Sequence, residues 1–367
     1  IMALFGQTIE AIHLGLLLTN VGTMLMVFLL ARRLFDDYTG AVACAAYGIL
    51  SLSPGVQGTS AHATHFVLLP ALGGMVLLLQ ALENDNPVTF FLSGFFLGLS
   101  YLMKQPGILF GVFALLYLLG ARIYMARTPA RALVLRCLLF IAGLTIPYLL
   151  TCIILYALGV FQRFWFWTVL YAIQYSALQP LADGISLFFM QVSIVIGDFY
   201  LLWVLAGMGL IIVWGTKRMR TQLSFMYGFF LFSFLAVCPG LYFRQHYFAL
   251  LLPAIAIFAG VAIRYFHVRC AHLTYARILP LLLFLIFFFH GVYLQRSFFF
   301  TGSPAAVCRY MYFPNPFPES IAIADYIRNN SAPDSTIAVL GSEPQIYFYA
   351  RRRSATSYLY MYSLMEK

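Results

Sequence analysis

Long apolar runs recur along most of this 367-residue chain, and they constrain its fold more than any other feature. Hydrophobic residues make up 62% of the sequence and charged residues only 9%. A soluble globular domain carries roughly 25% charged residues, so this chain has too few polar side chains to cover a soluble surface. Because the runs repeat, a single anchor or a cleaved leader does not account for them. The sequence therefore predicts a polytopic membrane protein.

Ten of these runs are interpreted as membrane helices. Several are shorter than the roughly 20 residues that a full span needs, so their ends are expected to extend into the flanking residues. The seventh is long and contains Asp198, which favours a surface helix followed by a span. The fold class predicted is an all-α polytopic membrane protein with about ten transmembrane helices. The runs lie at about 12–31, 40–55, 65–82, 88–103, 106–121, 137–159, 185–214, 223–239, 247–263 and 278–295.

Basic residues alternate between the connections in a way that fixes an orientation. One set of connections holds twelve Lys and Arg, and the opposite set holds three before residue 297. The positive-inside rule places the richer set in the cytoplasm and the tail outside. The net charge of +10 therefore reflects topology, and nucleic acid is not an expected partner. The twelve are Arg32, Arg33, Arg122, Arg127, Arg131, Arg136, Lys217, Arg218, Arg220, Arg264, Arg269 and Arg277; the three are Lys104, Arg163 and Arg244.

Two outer segments differ from simple loops. Residues 160–184 mix Trp, Phe and Tyr with sparse polar groups, a pattern typical of a helix lying at headgroup depth. The tail alternates helix-like and strand-like stretches, which predicts a small α/β domain. The domain boundaries predicted are 1–296 for the transmembrane part and 297–367 for an extracytoplasmic α/β domain.

Polar side chains on the outer side lie beside apolar helix ends. A lipid-linked phosphate needs apolar walls for its tail and Arg, Lys or His donors for its phosphate. Each candidate also has a plain interpretation: Arg244 and Lys104 can extend to the interface, and a loop histidine is commonly just solvated. The candidates for phosphate binding are Arg244, His246 and Lys104, and those for other substrate contacts are Tyr247, His62, His65 and Arg163.

The six cysteines are scattered, and no pair has the spacing of a metal site. They are interpreted as small buried hydrophobic residues. No cofactor is expected; a divalent metal is compatible with the sequence but not indicated by it.

Four stretches carry a family resemblance. They are "IHLGLLLTNVGTMLMVFLLARRLF" at 12–35, "ACAAYGILSLSPGVQG" at 43–58, "LMKQPG" at 102–107 and "RQHYFALLLPAIAIFAG" at 244–260. In this order they resemble the bacterial relatives of the protein O-mannosyltransferases and aminoarabinose transferases, which are glycosyltransferases with the C-type membrane fold. The resemblance covers nearly the whole chain, including "GSEPQIYFYARRRSAT" in the tail.

The resemblance implies an enzyme that takes a hexose or pentose from a polyprenyl-phosphate donor. The acceptor would be a saccharide, lipid or protein at the outer face of a bacterial inner membrane. In this family an acid in the first outer loop acts as general base, and basic residues stabilise the phosphate. The chain begins where that loop ends, so the first helix and its acid are expected upstream of Ile1, and the tail is expected to be partial. Glu10 is not expected to replace that acid.

Two other function classes remain open from the residues alone. A transporter or flippase of a lipid-linked substrate would place ionisable groups near the bilayer midplane and show two related halves. Only Asp198 is a midplane candidate, and no internal repeat is evident. The third possibility is a non-catalytic membrane scaffold of the same fold. An acidic loop in the upstream sequence would favour the enzyme over the scaffold.

Overall fold

The computed structural model describes residues 5–124, 129–177, 179–216, 220–270, 272 and 275–359. The chain divides into two compact units, Ile1–Tyr293 and Leu294–Lys367, and each is described by itself. Among the cytoplasmic connections predicted from the charges, Arg127, Lys217 and Arg218 lie outside the described residues.

The first unit is helical throughout its described part. Thirteen α-helices are linked by short 3-10 and π turns. They are α1 (Ile9–Leu34), α2 (Asp37–Leu52), α3 (Ala63–Asn84), α4 (Pro87–Met103), α5 (Ile108–Tyr124), α6 (Ala130–Ala157), α7 (Phe161–Trp165), α8 (Tyr171–Ser176), α9 (Leu181–Ile196), α10 (Tyr200–Gly215), α11 (Arg220–Leu235), α12 (Leu252–Arg269) and α13 (Leu279–Leu294).

Helix starts follow from local capping chemistry. Thr8 accepts a hydrogen bond from the Ala11 amide at the start of α1, and Asp36 accepts from Thr39 at the start of α2. Asn86 caps α4, whose first residue is Pro87. These side chains satisfy amides that have no partner within a first helical turn.

The long run at 185–214 is two helices. α9 and α10 are separated by the 3-10 turn Gly197–Phe199, and Gly197 has φ +39°. A left-handed glycine ends a helix at little steric cost, which explains the break beside Asp198. The segment at 160–184 likewise consists of short pieces, namely α7, a π turn at Phe166–Leu170 and α8.

α12 is the centre of the first unit. Every residue from Leu252 to Ile263 is buried, and the helix packs against α2 and α10. Glycines permit such close approaches: a Cβ on Gly260 would lie 2.7 Å from the Thr39 carbonyl oxygen of α2. α4 and α6 approach each other in the same way, because a Cβ on Gly94 would clash with the backbone of Phe140. Small residues at helix contacts are typical of membrane bundles.

Within the described residues, six helical stretches are long and apolar enough to cross a membrane. Three shorter apolar helices accompany them at Pro87–Met103, Gln105–Gly120 and Gln222–Leu235. The predicted count of about ten transmembrane helices is therefore not confirmed, and it stays a prediction. The six are Ile9–Leu34, Ala63–Asn84, Ala130–Ala157, Leu181–Gly215, Gln245–Arg269 and Ala276–Leu294.

The second unit combines three helices with a two-stranded parallel ladder. The helices are α14 (Pro304–Tyr312), α15 (Ser320–Asn329) and α16 (Gln345–Ala350), and β1 (Thr336–Ile337) pairs with β2 (Arg353–Ser354). Ala324, Ile346 and Ala350 form its small core between α15 and α16. The stretch "ATSYLY" at 355–360 is predicted as a strand, but its described residues 355–359 form no strand, and β2 ends at Ser354 directly before it.

Candidate functional site

A break between α4 and α5 fixes the position of Lys104. α4 ends at Met103, Lys104 adopts an extended backbone (φ −163°, ψ 139°), and a 3-10 turn follows at Gln105–Gly107. The Gly107 amide donates to the Lys104 carbonyl oxygen at 2.9 Å. Proline within the turn supplies no amide hydrogen and disfavours helical geometry at the residue before it, so the helix cannot run through.

An unusual turn leads into Arg244. Gly240, Leu241 and Phe243 have φ values of +76°, +55° and +44°. Left-handed geometry costs a side-chain-bearing residue on the order of 1–3 kcal/mol. Phe243 is buried, with its ring centroid 5.1 Å from that of Phe188, and this packing offsets part of the cost. The turn places Arg244 directly before the 3-10 segment Gln245–Leu251, which continues into α12.

Aromatic side chains hold both cations. The Lys104 Nζ lies 3.9 Å from the centroid of the Tyr247 ring, and the Arg244 guanidinium donates to the Tyr175 hydroxyl at 2.9 Å. Arg244 also lies 5.5 Å from the ring of Tyr242, which stacks on Tyr175 at 4.8 Å. No carboxylate in the described part of the chain lies within ion-pair distance of Lys104.

Three histidines adjoin these cations. His62 directly precedes α3, and its ring stacks on that of His246 with centroids 3.9 Å apart and planes 8° from parallel. The His246 Nδ1 lies 3.1 Å from the Gln57 Oε1. In the tautomer with hydrogen on Nδ1, His246 donates to Gln57 and its Nε2 is a hydrogen-bond acceptor. His65 is one turn into α3, 4% exposed, and neither ring nitrogen has a partner among the described residues.

The local electrostatics follow from burial and clustering. Burial, and then the neighbouring charges of His65, Lys104 and Arg244, lower the pKa of His62 to about 4. Burial and the charge of Arg244 lower the pKa of Lys104 to about 8. At pH 7 His62 is therefore neutral and Lys104 is mostly protonated. The charge of Arg244 thus adds to burial in disfavouring the protonated form of Lys104.

A cavity of about 360 Å³ opens beside Lys104. Its polar lining comes from Lys104, Gln105, two hydroxyl residues of the segment at 168–176 and four tyrosines. The tyrosines are Tyr101, Tyr175, Tyr242 and Tyr247, and apolar residues at 169–173 and 236–240 complete the wall. The Gln105 side-chain amide donates to the Thr168 carbonyl oxygen at 3.0 Å, which joins the helix break to that segment. This volume is within the range of about 300–1,000 Å³ that is usual for small-molecule sites.

The structure brings together six of the seven residues predicted as site candidates. Lys104, Arg244, His246, Tyr247, His62 and His65 form the set of contacts described above, which we call the Lys104 cluster. Arg163 is exposed in α7, and no contact described for the cluster includes it. The sequence reasoning missed Gln57, Tyr175 and Tyr242.

Gln57 had a sequence signal of its own. It lies in the turn "SPGVQG", with φ +53°, where the Gly58 amide donates to the Ser53 carbonyl oxygen at 3.0 Å. A Cβ on Gly58 would clash with the Ser51 carbonyl oxygen, so this turn admits only glycine at that point. A polar side chain held in a tight turn next to two helix ends is a common way to position a binding group.

Comparison with solved structures identifies the class of fold. The chain is similar to the Archaeoglobus fulgidus oligosaccharyltransferase in its apo form, with a TM-score of 0.55 and 15% identity over 88% of this chain and 47% of that one. The same enzyme in complex with Zn and sulfate gives a TM-score of 0.58 and 15% identity over 95% and 46%. ArnT from Cupriavidus metallidurans bound to undecaprenyl phosphate gives 0.55 and 16% over 96% and 73%. The fold is that of the C-type membrane glycosyltransferases.

The family comparison agrees with the fold. Residues 1–150 match the dolichyl-phosphate-mannose-protein mannosyltransferase family. The resemblance inferred from the sequence, to membrane glycosyltransferases related to the protein O-mannosyltransferases and aminoarabinose transferases, is thereby confirmed, as is a multi-pass membrane protein. No curated protein sequence matches the chain. The chain spans less than half the length of the archaeal oligosaccharyltransferase structures.

Metal binding has no obvious site in the described part of the chain. No group of three or more His, Cys, Asp or Glu side chains there has an arrangement that could hold a metal ion. Within the Lys104 cluster, His62 and His246 stack on each other, and the ring nitrogens of His65 have no hydrogen-bond partner among the described residues.

Proposed function

We propose that this chain is part of a membrane glycosyltransferase that transfers a sugar from a polyprenyl-phosphate donor to an acceptor on the extracytoplasmic face. Lys104 and Arg244 bind the donor phosphate. The observation that carries the proposal is a cavity lined by Lys104 and by Tyr175, the hydroxyl of which accepts a hydrogen bond from Arg244, with no carboxylate at ion-pair distance from Lys104 in the described residues.

A phosphate resolves an electrostatic conflict at this site. Lys104 is half-buried, and burial and the charge of Arg244 both disfavour its charged form. Holding a half-buried cation near another cation costs free energy unless an anion joins them. A phosphate oxygen between the two would accept charge-assisted hydrogen bonds from both side chains, which are stronger than neutral ones. The neighbouring apolar helix surfaces suit the polyprenyl tail.

The remaining residues fit the recognition of a sugar. With Nδ1–H donated to Gln57, His246 presents Nε2 as an acceptor for a sugar hydroxyl; in the other tautomer it donates to a phosphate oxygen. Tyr247 and His62 flank it as ring surfaces. Stacking of a sugar on aromatic rings and hydrogen bonding to its hydroxyls is a reasonable basis for donor recognition. The proposal assigns no general base among these residues.

Similar proteins support the donor class. The solved ArnT structure holds undecaprenyl phosphate, and the family that matches residues 1–150 is described by a dolichyl-phosphate-linked sugar. Both are isoprenoid phosphates. We therefore propose a polyprenyl-phosphate sugar as donor, a saccharide, lipid or protein as acceptor, and the inner membrane of a bacterium as location. The ten-helix topology with an extracytoplasmic tail belongs to this proposal.

The test is binding of undecaprenyl phosphate to the full-length protein in detergent, measured by native mass spectrometry. We expect Arg244→Ala and Lys104→Ala each to weaken binding about ten- to a hundredfold, because a hydrogen bond to a charged group contributes about 1.5–3 kcal/mol. Arg163→Ala is the matched control, since Arg163 is exposed and outside the cluster. Equal affinities for wild type and Arg244→Ala would leave Arg244 as an interfacial residue with no role in donor binding.

A second measurement separates transfer from transport. Membranes containing the full-length protein receive a radiolabelled polyprenyl-phosphate sugar. A transferase releases polyprenyl phosphate and moves the label to a water-soluble or protein-bound product. A flippase moves the label across the membrane with the sugar still attached to the lipid, and that result would overturn the proposed activity.

A further inference from the structure

A second polar cavity lies at the opposite end of α12 from the Lys104 cluster. Its volume is about 470 Å³. It is built where α1 and α10 end, where α2 and α11 begin, and where α12 ends. Its lining includes two guanidinium groups, from Arg264 and Arg269, together with Asp36, Thr39, Thr216 and Gln222.

One carboxylate in the cavity is already neutralised. Asp36 accepts hydrogen bonds from the Thr39 amide at 2.8 Å, from the Thr39 hydroxyl at 2.7 Å and from the Arg264 Nε. Burial opposes ionisation of Asp36, but these contacts outweigh it and hold the pKa of the carboxyl below its ordinary value. Among the described residues that line the cavity, Arg269 is a charged side chain with no carboxylate at ion-pair distance.

Most of the donor capacity of the two arginines remains for a ligand. Arg264 uses Nε for Asp36, and Arg269 donates to the Tyr265 hydroxyl at 3.1 Å with its guanidinium 5.2 Å from that ring. In the part of the chain that the structure describes, no other hydrogen bond uses either guanidinium. A guanidinium has five N–H donors in a planar fork that matches phosphate oxygens.

We propose that this cavity binds a phosphate group, supplied by the headgroup of an anionic membrane phospholipid. The cavity lies at the ends of apolar helices, where a headgroup would lie, and its apolar walls Phe35, Val261 and Val268 adjoin the glycerol and upper chains. Arg269 and Arg264 contact the phosphate, and Thr216 and Gln222 contact the headgroup hydroxyls. Basic pockets between membrane helices are known to select anionic headgroups. The inference is independent of the proposed transferase activity.

The test compares phosphatidylglycerol with phosphatidylcholine of the same acyl chains, each titrated onto the full-length protein in detergent and followed by native mass spectrometry. We expect wild type to prefer phosphatidylglycerol and Arg269→Ala to bind it about tenfold more weakly, as a charge-assisted contact is lost. Arg277→Ala is the matched control, because Arg277 is an exposed arginine in the turn after the same helix. Its affinity should match that of wild type.

Tyr265→Phe tests the geometry without changing charge. It removes the hydroxyl that orients Arg269, so phosphatidylglycerol should bind about threefold more weakly, as expected for one neutral hydrogen bond. Equal binding of the two lipids, or equal losses in Arg269→Ala and Arg277→Ala, would overturn the proposal. Inorganic phosphate is the third arm: saturable, Arg269-dependent binding of phosphate without binding of phosphatidylglycerol would assign the site to a soluble phosphate and overturn the lipid assignment.

Discussion

Cations at the two ends of the central helix α12 have different contacts. Arginines pair with acids in the region around Asp36, which we call the Asp36 end. Four ion pairs form there: Arg32 with Asp37, Arg33 with Glu83, Arg136 with Asp85 and Arg264 with Asp36. At the Lys104 cluster, the described contacts of Lys104 and Arg244 are to tyrosine rings and hydroxyls. The paired arginines have their charge compensated by acids, whereas Lys104 has no carboxylate at ion-pair distance among the described residues.

The difference shows what identifies a binding site in an apolar chain. A cation at a helix end is common, because it can extend to the interface and fix topology. A cation that is buried beside a second cation is uncommon, because both the loss of hydration and the repulsion oppose it. Lys104 meets the second description, since burial and the charge of Arg244 both lower its pKa. This environment, more than the residue type, points to an anionic ligand.

The largest expected effect is on stability, at the Asp36 end. Asp36→Ala removes the cap of α2 and leaves Arg264 half-buried without its acid, so we expect a loss of about 2–3 kcal/mol in the free energy of unfolding. Thermal unfolding in detergent, followed by tryptophan fluorescence, measures it. Asp37→Ala is the control: its pair with Arg32 is 74% exposed on the Asp37 side, and its loss should cost less than about 0.5 kcal/mol. Equal losses would mean that the Asp36 pair is as weak as a surface pair.

The second prediction is that Lys104→Met raises the stability of the ligand-free protein and lowers its affinity for undecaprenyl phosphate. Lys104→Met keeps the length of the side chain and removes a desolvated charge, so the ligand-free protein should gain about 1 kcal/mol of stability. The same variant should bind undecaprenyl phosphate about tenfold more weakly. Thermal unfolding and native mass spectrometry on one preparation test both. A variant that loses stability and keeps its affinity would place Lys104 among ordinary structural cations, like those of the Asp36 end.

Sequence reasoning predicted the class of fold and most of one cluster for identifiable reasons. The apolar runs have no stable arrangement in water, so they require a membrane bundle. Lys104, Arg244 and His246 were found because basic residues are rare in the outer connections, and rarity made each of them informative. The break at Gly197 was also signalled, by a polar Asp198 within an overlong run.

Other features depend on distant contacts that periodicity does not reveal. Gln57 meets His246 across 189 positions, and only the left-handed turn at Gln57 aims its side chain there. The positive φ values of Leu241 and Phe243 contradict the preferences of both residues and arise from tertiary packing. The cavity beside Arg264 joins the ends of five helices, so no local pattern marks it.

The third prediction is a pH dependence confined to the Lys104 cluster. Lys104 must be protonated to bind phosphate, and its pKa in the ligand-free protein is about 8. Affinity for undecaprenyl phosphate should therefore change little near pH 7 and fall about tenfold by about pH 9, as the free protein loses the proton that the complex retains. Lys104→Arg is the matched variant, because an arginine stays charged and should bind equally at both pH values. An identical decline in Lys104→Arg would assign the titration to another group.

The smallest expected effect tests whether the cluster is kept free of carboxylates for a reason. Gln57 contacts His246 through one neutral hydrogen bond, so Gln57→Leu should weaken binding of undecaprenyl phosphate only about threefold. Gln57→Glu keeps the shape and an acceptor for His246 but adds a negative charge to the Lys104 cluster. If the cations serve a phosphate, the glutamate competes for them, and Gln57→Glu should bind more weakly than Gln57→Leu. It should also be the more stable of the two in the absence of ligand, because the positive charges of the cluster favour a nearby negative charge. Titrations by native mass spectrometry and thermal unfolding of both variants decide this.

Stronger binding by Gln57→Glu than by Gln57→Leu would mean that the positive potential of the cluster does not drive phosphate binding, and it would remove the contrast between the two ends of α12.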